Sequence, residues 1–254
     1  MYYPPHLKVL TTTTTGVQLT QRLYAQLPTM QLYAPAQLTS IITPAHLPPT
    51  TWYHGCLRDL MPTLFTKPPT NQSRHAIVAI LAIGAVVRLI APYLIDKYHD
   101  PAVIVLDQTG QFVVPILSGH LGGGNALAAH LAQLLNATAV ITTASDCQLT
   151  LAVDLLGQEL GWRVEAETTA LRQASAAMVN KHPVALIQEN GSDNWWRHHA
   201  NGRTGDLPSN LHQLSSLDMV DVVYYQALLW ISHRVIPPAF AQRFSKPIIW
   251  YKPP

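Results

Sequence analysis

The residues best suited to chemistry stand together at 118–125: Ser118-Gly119-His120-Leu121-Gly122-Gly123-Gly124-Asn125. The apolar run at 112–117 predicts a buried strand before them, and residues 126–135 carry apolar side chains at helical spacing after them. A glycine-rich bend from strand into helix gathers backbone N–H groups at the positive end of the helix. Such a place suits an anion or a developing oxyanion. Gly122, Gly123 and Gly124 let the backbone approach a ligand closely. His120 can move a proton near neutral pH, as general base or acid. The same residues also describe a tight turn with a histidine that only hydrogen-bonds it together. The spacing is neither G-x-G-x-x-G nor a P-loop, and no acidic ribose partner follows at the expected distance, so nucleotide binding is disfavoured.

A second motif, Thr142-Thr143-Ala144-Ser145-Asp146, closes a strand predicted over 140–143. Asp146 either orients His120 or binds substrate, or else it caps a helix predicted over 149–160. Arg88 falls inside an apolar helix predicted over 85–94. A buried cation there needs an internal carboxylate or an anionic ligand. Asp96, Lys97 and Asp100 follow that helix, and Lys97 also suits its C-terminal dipole. Trp195 and Trp196, in a polar loop over 189–207, form a lid or pack on the domain.

The elements that must position these groups alternate along the chain. Strand patterns occur at 7–10, 30–33, 76–82, 102–106, 112–117, 140–143, 184–188, 227–231 and 248–251. Helical patterns begin at Gly16 and span 57–65, 85–94, 126–135, 149–160 and 168–179, the last capped by Thr168 or Thr169. Asp107-Gln108-Thr109-Gly110 is a turn that makes 102–106 and 112–117 a hairpin. The threonines at 11–15 read as the β-branched end of a strand, with phosphate binding the weaker reading. Residues 34–51 are Pro-rich and structure-poor, and 67–75 form a polar loop. This alternation predicts an α/β fold with largely parallel twisted sheets and flanking helices, in two α/β subdomains, 1–137 with the glycine turn and 138–254. Ligands of such sheets lie beyond the carboxyl ends of strands, so both motifs are expected to face one crevice.

Composition narrows the function classes. With 12% charged and 48% hydrophobic residues the chain can bury a core and is not disordered. A net charge of +2, with no Lys/Arg block, gives no nucleic-acid footprint. The run 76–95 is long enough to span a membrane, but Gly84, Arg88 and Pro92 interrupt it, so no membrane span is expected. The opening residues lack a basic region and a long apolar core, so no secretion signal is expected. Two cysteines without a CxxC pattern fit a reduced, cytoplasmic setting, and the 12 histidines form no spaced metal motif.

A longer ordered set carries a resemblance. It comprises Ala82-Ile83-Gly84-Ala85-Val86-Val87-Arg88-Leu89-Ile90-Ala91-Pro92, Asp96-Lys97 and Asp100-Pro101-Ala102-Val103. Leu117-Ser118-Gly119-His120-Leu121-Gly122-Gly123, Asn125 and Val140-Ile141-Thr142-Thr143-Ala144-Ser145-Asp146 continue it. Together they resemble the CbiG family of cobalamin-biosynthesis proteins. Weaker similarity runs through Asp154-Leu155-Leu156, Glu159-Leu160-Gly161-Trp162, Pro183-Val184-Ala185-Leu186 and 247–254, while Ser232-His233-Arg234 stands where Ser-Asp-Arg is more usual. The resemblance covers the family's N-terminal and central regions and implies that its C-terminal domain is absent. It implies cobalt-precorrin-5A hydrolysis, which opens a δ-lactone on ring A and expels C20 with its methyl as acetaldehyde.

Cobalt then arrives within the substrate, and no protein metal or other cofactor is expected. The substrate is a cobalt-corrinoid rimmed by carboxylates. Such a rim suits binding by Arg88, Lys97, Ser118, Gly119, Gly122, Gly123, Gly124, Asn125, Thr142 and Thr143, and residue chemistry makes His120 the candidate to activate water, with Asp146 the second catalytic candidate. A separate C-terminal-domain protein or a neighbouring pathway methyltransferase is the partner it suggests. The alternative is a non-catalytic module holding a corrinoid intermediate for a partner enzyme.

Overall fold

The computed structural model describes residues 4–43, 46–66, 75–197 and 205–254. The chain divides into two compact units, Tyr2–Ile141 and Thr142–Pro254. The polar loop expected at 67–75 lies, except for His75, outside the described residues, as does part of the loop expected at 189–207.

In the N-terminal unit the described strands are β1 His6–Thr11, β2 Met30–Pro35, β3 Thr50–Tyr53, β4 His75–Ile80, β5 Ala102–Leu106, β6 Phe112–Leu117 and β7 Thr138–Ala139. They form one sheet in the order β3-β2-β1-β4-β5-β6-β7. Strands β1 to β5 pair in parallel, β6 runs antiparallel to β5, and β7 is parallel to β6. Alternate side chains explain why both faces are covered. Leu7, Val9, Val78, Ile80, Ile104 and Leu106 join one core with α1 (Thr14–Tyr24) and α4 (Gly124–Leu135). Leu10, Ile77, Ala79, Val103 and Val105 join the other with α2 (Leu57–Phe65) and α3 (Ile83–Ile90). The near-continuous apolar strand His75–Ile80 is what a parallel strand buried on both faces requires. Lys8 lies between core residues of β1, and its ammonium group donates to the carbonyls of Thr63, Leu64 and Thr66 at 2.8, 2.9 and 2.8 Å. It therefore closes the C-terminal end of α2, where carbonyls lack helical partners.

The C-terminal unit contains β8 Arg163–Glu165, β9 Val184–Gln188, β10 Leu211–Gln213, β11 Ala227–Ile231 and β12 Ile248–Lys252. Their order is β10-β9-β11-β12-β8, parallel except for β8 at the edge. Helix α6 (Thr168–Val179) covers one face with Ala174, Ala177 and Met178, and α7 (Pro238–Arg243) with Phe240 helps cover the other. A short helix, α5, spans Ala144–Cys147.

Three local expectations are corrected. The helix predicted over 149–160 is absent; two 3-10 turns, Val153–Leu155 and Gln158–Leu160, stand there instead. Gly157 and Gly161 adopt left-handed φ values of 74° and 75°, which no continuing helix contains. The strand predicted over 140–143 pairs only at 138–139, two residues earlier. The helix predicted over 85–94 ends at Ile90 and passes into a 3-10 turn at Ala91–Tyr93, because Pro92 cannot continue it.

Candidate functional site

The glycine turn begins where β6 is forced out of register. The β5–β6 pairing shifts between Val103 and Ile104, opposite Pro115, a residue that cannot donate to a ladder. Ser118 then takes a left-handed φ of 52°, and its hydroxyl donates to the Asp100 carbonyl at 3.0 Å. Three amides close the bend: Gly123 N–H donates to His120 O (2.9 Å), Gly124 N–H to Ser118 O (3.2 Å) and Asn125 N–H to Gly119 O (2.8 Å). Glycine is required twice by contact. A Cβ on Gly119 would stand 2.4 Å from Asn125 Oδ1, and one on Gly122 would stand 2.5 Å from both the Ser118 Cβ and its carbonyl oxygen. Gly123 enters α4 with φ 77°, and Asn125 is buried just inside the helix. His120 sits half-buried in the bend.

These bonds change what the turn offers. The amides of Gly123 and Gly124 already have acceptors inside the bend; the Gly122 amide takes no part in those three bonds. The turn also lies elsewhere than expected. Because β6 runs against β5, its end reaches the sheet edge beside the start of β5, with Leu117 opposite Val103. That is the edge opposite the carboxyl ends of the parallel strands, so the crevice rule for parallel sheets does not place it.

Residues 94–100 adjoin the turn through the Ser118–Asp100 bond. The Asp96 carboxylate accepts from the amides of Tyr98 (2.8 Å) and His99 (3.0 Å) and from the His99 ring (2.8 Å). The His99 ring and the Tyr98 amide hold Asp96 below its ordinary carboxylate range. Asp100 accepts from the Ile95 amide at 2.9 Å. Lys97 is exposed, its ammonium 5.1 Å from the centre of the Tyr98 ring. Arg88 is also exposed and not buried as its apolar neighbours suggested; its guanidinium donates to the Gly84 carbonyl of its own helix at 3.0 Å. The buried side of α3 is Val86 and Ile90, while Ile83 and Val87 face outward, so Arg88 has no desolvation to offset.

Thr142, Thr143 and Asp146 belong to the C-terminal unit. The Thr143 carbonyl opens α5, accepting from Asp146 N–H (3.1 Å) and Cys147 N–H (2.9 Å). Asp146 caps no helix at 149, since none forms there. Trp195 and Trp196 are buried in the core of this unit; the Trp195 indole donates to Gln188 at 2.8 Å and that of Trp196 to the Gly205 carbonyl at 2.9 Å, which is packing and not a lid.

One polar cluster was not anticipated. Glu189 and Ser232 directly follow the neighbouring strands β9 and β11, where strand order reverses in this sheet. The buried Ser232 hydroxyl donates to Glu189 Oε2 at 2.6 Å and accepts from the Arg234 amide at 2.9 Å. The Arg234 guanidinium forks onto both Glu189 oxygens. Arg234, with Ser232, holds the Glu189 carboxyl below its ordinary range, against a smaller opposing effect of burial. The signal in the sequence was Ser232-His233-Arg234 just past a strand, but its partner Glu189 is 43 residues away.

The profile described as "Cobalamin synthesis G N-terminal" matches residues 69–146, and "Cobalamin biosynthesis central region" matches 151–253. The chain belongs to the CbiG family. It is 40% identical over 182 residues to a cobalt-precorrin-5A hydrolase of Priestia megaterium, covering 72% of this chain and 46% of that one. It is 41% identical over 121 residues to the cobalt-precorrin-5A hydrolase of Salmonella typhimurium strain LT2, covering 48% and 32%. The chain thus spans less than half the length of either relative. A crystal structure described as a cobalamin biosynthesis protein G homolog from Sulfolobus solfataricus superposes with a TM-score of 0.50 at 16% identity, over 99% of this chain and 61% of that one, and supports the fold alone. In this CbiG chain the N-terminal match contains the glycine turn and residues 94–100, and the central match contains the Glu189–Ser232–Arg234 cluster. Among the described residues no helix is long and apolar enough to cross a membrane. Among them, too, no group of three His, Cys, Asp or Glu is placed to hold a metal ion.

Proposed function

We propose that this CbiG chain acts on cobalt-precorrin-5A, opening the ring A δ-lactone and releasing C20 as acetaldehyde, in the cytoplasm. The observation that carries the reading is the bend at 118–125. It joins a half-buried histidine to a helix N-terminus, within a segment matched by the family profile. Relatives about 40% identical bear the name of that activity.

The steps assigned to this chain are few. His120 takes a proton from water as its oxygen adds to the lactone carbonyl. The Gly122 amide, at the positive end of α4, faces the negative charge that develops on the carbonyl oxygen. The carbonyl–oxygen bond then breaks, leaving a carboxylate on ring A and a hydroxyl on C20. His120, having released its first proton to solvent, takes that hydroxyl proton as the C20–ring bond breaks. Its electron pair stays with the macrocycle, and C20 leaves with its methyl as acetaldehyde. Cobalt is part of the substrate in this scheme.

One observation favours a second reading, a module that holds the corrinoid for a partner enzyme of the same pathway. Two of the three glycine amides are already bonded inside the turn, which thins the oxyanion site. The experiment is to incubate the purified chain with cobalt-precorrin-5A and measure acetaldehyde. Release by the wild type, slowed roughly 10²–10⁴-fold in His120→Ala, is expected for the hydrolase. Equal release by His120→Ala removes that residue's role. Binding without release, restored by adding the partner, establishes the second reading.

A further inference from the structure

Residues 94–98 pose a physical problem. Leu94, Ile95 and Tyr98 are 45%, 77% and 51% exposed, yet they sit on a loop whose backbone is tightly specified. Asp96 accepts three hydrogen bonds from Tyr98 and His99, Asp100 accepts from the Ile95 amide, and the Asp100 amide returns to the Asp96 carbonyl at 3.0 Å. Polar contacts within the loop therefore fix the backbone that carries these exposed apolar side chains. Fixing a solvated tip costs conformational entropy and gains no core. The arrangement makes sense if the tips cover something apolar.

The surroundings narrow what that is. The loop is bonded directly to the glycine turn through Ser118 and Asp100. Its two carboxylates are engaged by the loop's own N–H groups, whereas Lys97 projects into solvent beside the Tyr98 ring. Two exposed aliphatic side chains, an aromatic ring and a lysine suit a flat macrocycle with an apolar face and an anionic rim. Three side chains are far fewer than the 20–30 residues a side, and about 1,200–2,000 Å² in total, that a stable protein–protein interface uses.

We infer that residues 94–98 form the platform on which one face of the macrocycle rests, with Leu94, Ile95 and Tyr98 contacting the ring and Lys97 pairing with a rim carboxylate. This rests on the corrinoid reading given above and extends it to residues that contact the ring away from the reacting carbon. Ile95 and Tyr98 are then specificity determinants and take no part in bond breaking.

The test titrates the full chain with a cobalt corrinoid bearing free peripheral carboxylates, and with the same compound after its carboxylates are converted to amides. Binding is followed by quenching of tryptophan fluorescence. Ile95→Ser/Tyr98→Ser is expected to weaken both ligands about tenfold or more, since burial of each side chain is lost. Lys97→Gln is expected to weaken the carboxylate form only. Val235→Ser, an apolar position 68% exposed in the other unit, controls for general surface polarity and is expected to change neither. Wild-type binding that the double variant leaves unaltered overturns the platform while the corrinoid reading stands. Absence of wild-type binding to either ligand overturns the corrinoid reading and the platform together. Unaltered affinity with a changed sedimentation coefficient in the double variant assigns the loop to self-association and also overturns the platform.

Discussion

Asn125 fills the space that a side chain on Gly119 would need. An added Cβ would lie 2.4 Å from the Asn125 Oδ1, while the backbone N–H of Asn125 donates to the Gly119 carbonyl at 2.8 Å. The pair fixes the width of the bend that carries His120, so turn shape and helix start are one unit of structure.

Gly119→Ala is therefore expected to lower the stability of the N-terminal unit by about 1–3 kcal/mol through overpacking. Asn125→Ala removes the obstructing amide, and the double variant is expected to recover part of the loss, a departure from additivity. Urea denaturation of the four proteins measures this. Additive losses in the double variant would show that the contact is not what excludes a side chain at 119.

Lys8 gives a second expectation. Its ammonium closes three carbonyls at the end of α2, and burial pushes its pKa down. Lys8→Met keeps the aliphatic stem and removes the donors. A loss of about 1.5–3 kcal/mol is expected for hydrogen bonds made by a charged group. Amide hydrogen exchange should accelerate in residues 60–66 and stay unaltered in α6 of the other unit. Equal acceleration in both would mean that Lys8 does not act locally on α2.

What the sequence disclosed depended on how local each cause was. Helices α2 and α6 and strand β9 have the boundaries that periodicity predicted, but the cap expected at Thr168 or Thr169 is not there: Glu167 stands at the N-cap of α6 without a side-chain bond, and both threonines lie inside the helix. The segment 149–160 has helical apolar spacing too. Gly157, however, takes a left-handed φ, and the Trp162 ring stands 2.1 Å from where a Gly157 Cβ would be. Leu151, Val153 and Leu156 reach their core from an irregular chain instead. Strands β3, β8 and β10, of three or four residues, owe their form to neighbours distant in sequence. Arg88 lies in solvent, against its apolar sequence surroundings, for a related reason. Ile83 and Val87 are apolar but exposed, and no residue type alone says which apolar face a helix leaves in water. The glycine bend was legible as a bend. The edge of the sheet that it occupies follows from the reversal of β6 at Asp107–Gly110, and the bonds that close it could not be read from residue types.

The last expectation concerns acid. Arg234 and Ser232 hold the Glu189 carboxyl below its ordinary value of 4.5. The unfolded chain then binds the proton more readily than the native one in that range. Stability from this carboxylate is fully present above about 4.5 and is lost as pH falls through the lower native value. Glu189 links the ends of β9 and β11 to Ser232, so the loss should loosen the C-terminal unit first. Glu189→Gln removes the titrating group. The variant is expected to be less stable than wild type at pH 7, and the difference should shrink as pH drops from 5 toward 3. Unfolding free energies from urea melts across that range read the effect directly. A difference that stays constant with pH would show that Glu189 stabilises the strand ends by packing alone, with its charge contributing nothing.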